Sequence, residues 1–87
     1  MYVIIVYDVS VKRVAKICQF LRQYLNWIQN SVFEGELTES ELVRIKEGIK
    51  KIIDVDEDSI VIYSFHSEKV FKKEHIGLKK TEESFIL

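Results

Sequence analysis

The run YVIIVYD at positions 2–8 constrains this chain more than any other feature. Residues 2–7 are β-branched or aromatic throughout, and unbroken apolarity over so short a run reads as a strand covered on both faces. Such a strand belongs in the middle of a sheet. Asp8 then closes it with a carboxylate, and Ser10 offers an N-cap. Val11, Val14, Ile17, Cys18, Leu21, Tyr24 and Leu25 follow at spacings of three and four, which predicts a helix over 11–25 with one apolar stripe. Its other faces carry Lys12, Arg13, Lys16 and Arg22 with no acidic residue among them.

The next segment, WIQNSVFEGEL, is rich in strand formers, with Asn30-Ser31 and Gly35 as breaks. One bulged strand and two short ones fit it equally. Thr38 followed three residues later by Glu41 is a capping box, and Leu42, Ile45, Ile49, Ile52 and Ile53 give a second helix its apolar stripe. DVDED reads as an acidic turn, and SIVIYSF at 59–65 as a second buried or half-buried strand. The order strand, helix, strand or strands, helix, strand predicts an α+β sandwich with two helices on one face of a mainly antiparallel sheet. The ferredoxin-like arrangement is the simplest topology that satisfies it. One sheet face would then lack helices although the first strand is apolar on both sides, so a homodimer is expected. A core over 1–66 is followed by a charged tail over 67–87, in which HIGL and SFIL are short apolar pieces with no partner of their own, and the tail is expected to add a short strand to the neighbour's sheet edge.

Composition narrows the classes of function. At 87 residues with a net charge of −1, the chain is one domain without the overall positive charge of a protein that grips nucleic acid with its whole surface. The lone Cys18 excludes an internal disulfide and fits a reducing cytosol. No apolar run approaches the roughly 20 residues a membrane-spanning helix needs.

Asp8 has an ordinary reading, a cap or turn residue where strand passes into helix. It also has a chemical one. Carboxylates at the ends of central strands hold hard cations such as Mg²⁺, and a two-fold axis can bring two copies together to share the ion. Lys12 and Lys16 stand one helical turn apart beside Arg13, a short positive ridge for phosphates, although exposed helix lysines are ordinarily just solvated. The aromatics Tyr7, Phe20, Tyr24, Trp27 and Phe33 read mainly as packing. Cys18 reads as a buried structural thiol, and His66 and His75 have no spaced partners that would make a metal motif.

VYDVS at the end of the first strand, IQNSVFEGEL in the middle and DSIVIYSF near the end resemble the family of CRISPR-associated protein two, the smaller universal protein of spacer acquisition, over roughly residues 1–66. The resemblance implies a ferredoxin-like homodimer whose C-terminal strand packs on its partner. It also implies a Mg²⁺-dependent endonuclease activity, on RNA or DNA, resting on Asp8, with Lys12, Arg13 and Lys16 along the nucleic acid. Tyr7, Ser31 and Phe33 fall in the matching motifs as supporting residues. Assembly with a larger integrase protein around double-stranded DNA is implied as well. Many relatives carry a longer Arg-rich loop after the Asp and an Arg where this chain has Ile28 or Gln29. Two roles therefore stand side by side: a dimeric nuclease, and a non-catalytic dimeric scaffold that holds the integrase on DNA.

Overall fold

The computed structural model describes residues 1–67 and 70–78. Elements run β1 (Tyr2–Asp8), α1 (Val11–Leu21), β2 (Asn26–Gln29), β3 (Val32–Glu36), α2 (Glu39–Ile52), β4 (Ser59–Ser67) and β5 (Val70–Gly77). The five strands form one sheet in the order β2-β3-β1-β4-β5, antiparallel at every step. Both helices pack on the same side, which is the α+β ferredoxin-like sandwich with one added strand. As its apolarity requires, β1 is central, hydrogen-bonded to β3 on one side and β4 on the other.

Strand parity sorts the β1 side chains. Val3, Ile5 and Tyr7 point into the core with Phe33, Ile60 and Ile62, and the helices close over them with Ile17, Leu21, Leu42, Ile45 and Ile49. Ile4, Val6 and Asp8 point the other way, where Val61, Tyr63 and Phe65 of β4 join them. The apolar residues on that second face are only half-buried.

α1 starts as expected, with the Ser10 hydroxyl accepting from Lys12 N–H. It stops earlier than the expected residue 25. Gln23 and Tyr24 donate to Phe20 and Leu21, three residues back, so the helix tightens into a closing turn. Leu25 still reaches the core at 5% exposure, which is why it fitted the helical stripe. The middle segment resolves into two strands that also contain a bulge. Asn30 takes a positive φ of 44° at the hairpin turn, and the pairing slips between Trp27 and Gln29. In α2 the capping box is complete, with Thr38 N–H donating to Glu41 Oε1 at 2.9 Å and Glu41 N–H to Thr38 Oγ1 at 3.1 Å.

The largest departure is β5. The segment expected to begin a charged tail after residue 66 instead pairs with β4 of its own chain from Val70 to Gly77, so the sheet continues through that boundary. Its alternation is carried by charge: Glu74 reaches Lys46 of α2 at 2.5 Å, while Lys73 lies 5.8 Å from the centre of the Tyr63 ring. Gly77 has φ of 105°, and a Cβ there would strike the Asp58 carbonyl oxygen, so only glycine fits. Of the two apolar pieces of the expected tail, HIGL has His75, Ile76 and Gly77 paired with β4 of its own chain, whereas SFIL lies outside the described residues.

Ile45 of α2 is fully buried, whereas Val43 two residues earlier is 58% exposed. Ile45→Ala is expected to lose about 2–5 kcal/mol of stability in urea unfolding, and Val43→Ala no more than about 0.5 kcal/mol.

Candidate metal and nucleic-acid site

Asp8 is the last residue of β1 and lies opposite Ser59 of β4. Parity leaves its carboxylate exposed, on the face opposite the helices, while Tyr7 beside it is buried on the helix side. Tyr7 therefore does not share a face with Asp8. Its hydroxyl lies 3.0 Å from Cys18 Sγ, its ring 6.0 Å from that of Phe33, and its N–H donates to the Ser31 carbonyl at 3.0 Å. Burial pushes the Tyr7 phenol up to about 12, with the Cys18 thiol adding to the effect, so it stays protonated. Tyr7 and Phe33 thus pack on the helix side of β1, and Ser31 meets its edge through the main chain. Cys18, half-buried, has a phenol for a neighbour.

The cations of α1 divide into two kinds. Lys12 and Lys16 are exposed, one turn apart. Arg13, expected beside them along phosphates, turns to Asp58 instead. Its Nε donates to Oδ2 at 2.5 Å, and its Nη2 to Oδ1 at 3.1 Å and to Glu57 Oε1 at 2.8 Å. Asp58 is fully buried and also accepts from the Ser10 N–H at 2.8 Å and the Asp54 N–H at 2.9 Å. The Arg13 hydrogen bonds hold its carboxyl down to about 2 against the opposing effect of burial, and the Asp54 and Ser10 amides help. The same contacts raise the Arg13 pKa further above its ordinary value.

Asp58 was legible only as part of the acidic turn DVDED. Its position directly before a buried strand was the available signal, because an acid there is buried and must find a cation. The contacts of His75 were not legible in the sequence either. Its Nε2 lies 3.0 Å from Ser59 Oγ and 2.9 Å from the Leu78 carbonyl, joining the ends of β4 and β5. His66 stands 3.9 Å from Glu39. Among the described residues, no three His, Cys, Asp or Glu side chains converge on a metal position. No helix of the described residues is long and apolar enough to cross a membrane.

The sequence profile described as CRISPR associated protein Cas2 matches residues 1–73. The chain is 62% identical over 80 residues to the CRISPR-associated endoribonuclease Cas2 of Methanocaldococcus jannaschii, covering 92% of this chain and 70% of that protein. It is 58% identical over 80 residues to the protein of the same name from Thermococcus kodakarensis, covering 92% of each. A crystal structure of cas2 matches with a TM-score of 0.74 at 40% identity, covering 100% of this chain and 98% of that one.

The depressed Asp58 pKa fixes the sign of an acid effect. The unfolded chain, with an ordinary carboxyl near about 3.9, takes up this proton before the folded one does. The contribution is therefore complete above about pH 4 and is lost as pH falls toward about 2. Urea midpoints measured between those limits should fall more steeply for the wild type than for Asp58→Asn.

Proposed function

The chain belongs to the family described as CRISPR associated protein Cas2, and on that footing we propose that it is a nuclease of CRISPR defence acting as a homodimer. Asp8 is the carboxylate of its Mg²⁺-dependent phosphodiester-cleaving centre. The observation that carries this reading is the exposure of Asp8 at the end of the central strand, on a sheet face where Ile4, Val6, Val61, Tyr63 and Phe65 are only half-buried. A second copy laid on that face would cover the apolar residues. Two-fold symmetry would then set one Asp8 against the other.

The donor chemistry suits the ion. Mg²⁺ is typically held by one or two carboxylates, keeps several waters and shares phosphate oxygens with its substrate, so it does not need a cage from one chain. When bound, it polarises a phosphoryl oxygen and acidifies water. The protein's own part is positional. Ladder bonds on both sides make β1 a rigid mount for Asp8, and Lys12 and Lys16 draw the phosphate backbone along α1. The names of the relatives favour RNA as substrate, with double-stranded DNA as the other choice.

A second reading, a dimeric scaffold holding a larger integrase protein on double-stranded DNA, is favoured by the donors around Asp8: among the described residues no three His, Cys, Asp or Glu side chains converge on a metal position.

Asp8→Asn should lower the single-turnover rate of RNA cleavage by about a hundredfold or more, with the sedimentation coefficient unchanged. Cleavage at the wild-type rate would refute the catalytic reading. Spacer acquisition that persists in a cleavage-dead variant would favour the scaffold. Lys12→Gln and Lys16→Gln should each reduce the slope of log affinity against log salt by about one.

A further inference from the structure

Residues 8–10 are bracketed by residues 58–59. Asp8 sits opposite Ser59 in the β1–β4 ladder, and two residues later the Ser10 N–H donates to Asp58 Oδ1 at 2.8 Å. That N–H belongs to the N-cap, so the helix itself offers it no carbonyl. The carboxylate that receives it is fully buried and gripped on both oxygens by the Arg13 fork. On its other side the Asp58 carbonyl takes the Leu78 N–H at 2.7 Å, which pins the end of β5 to the same residue. Arg13 and Asp58 are thus held in a rigid joint next to Asp8, and the donors Arg13 turns to Asp58 and Glu57 are not aimed at a phosphate.

We propose that Arg13 and Asp58 are positioning residues of the Asp8 centre: the buried pair fixes the main chain immediately beyond Asp8 and so the direction in which that carboxylate leaves the strand. This rests on the reading of Asp8 as the catalytic carboxylate. A strand end held by ladder bonds alone frays, and a displacement of about 1 Å at a reacting centre can reduce a rate on the order of a hundredfold. The pair prevents that displacement without touching substrate. It also makes Arg13 unlike Lys12 and Lys16, although all three lie on one helix.

The test compares Arg13→Gln, Asp58→Asn and the double variant with Asp8→Asn, each shown to be folded by circular dichroism. Cleavage of a labelled single-stranded RNA is followed under single turnover across a Mg²⁺ titration, and binding of the same RNA across a range of salt. Each single variant should lose about tenfold or more in rate and need more Mg²⁺ for half-maximal cleavage. RNA affinity and its salt slope should not change. The double variant keeps one oxygen for the Ser10 N–H but turns an amide NH2 toward the Asp54 N–H and has no fork, so its rate should stay as low as that of Asp58→Asn; recovery to the wild-type rate would overturn the positioning role. Wild-type rates in the Arg13 and Asp58 variants, with Asp8→Asn inactive, would overturn the positioning role alone. A salt slope reduced by about one in Arg13→Gln would overturn it too, by making Arg13 a phosphate contact. Undiminished cleavage by Asp8→Asn, or none by the wild type, would overturn the reading of Asp8 and this proposal together. If Asp58→Asn does not fold, Arg13→Lys decides the matter: it keeps the charge but not the fork, and should show the same loss of rate at unchanged affinity.

Discussion

The buried contact between Arg13 and Asp58 ties the start of α1, the turn before β4 and the end of β5 to one point. A carboxylate without solvent is tolerable only where donors replace the water it has lost. Here a guanidinium fork and two main-chain amides do so. The arrangement accounts for two features that otherwise look unrelated. The basic face of α1 offers fewer cations to the outside than its sequence suggests, because the middle one faces inward. β5 ends in a glycine with a left-handed φ because the main chain must pass close to the Asp58 carbonyl.

The sheet then divides the labour. Its helix side is a closed apolar core, with a phenol and a thiol as its polar contact near Asp8. Its other side carries the candidate chemistry at one end and a half-buried apolar strip along the middle strands. Such a strip with no helix over it is what an interface requires, and a carboxylate at its margin would stay hydrated until a second subunit or a phosphate chain approached. The Lys46–Glu74 contact fastens β5 to α2 on the helix side.

How much of this the sequence showed follows from which signals are local. The capping box of α2 and the N-cap of α1 depend on residues a few positions apart and were legible at once. The central place of β1 was legible because one short run combined apolarity with β-branching on both parities. The end of α1 was misjudged because Leu25 reaches the core from a turn as readily as from a helix. β5 escaped because its alternation is carried by the charged Glu74 and Lys73 instead of apolar residues, and the partner of Glu74, Lys46, is 28 residues away. The role of Arg13 escaped for the same reason. Its partner is 45 residues away, and nothing near it distinguishes an inward cation from Lys12 or Lys16.

The opposite facing of Tyr7 and Asp8 has a consequence for what variation the first strand can accept. Conservative exchanges among its aliphatic residues preserve the alternation, but inserting or deleting a single codon anywhere upstream in the strand reverses it. The carboxylate would then be driven into the oily interior and the phenol out to the surface, with the pairing to β3 and β4 otherwise intact. Natural length polymorphism in this protein should therefore collect in the loops, and the spacing from the strand's beginning to its terminal acid should be preserved more strictly than the identity of most residues between them.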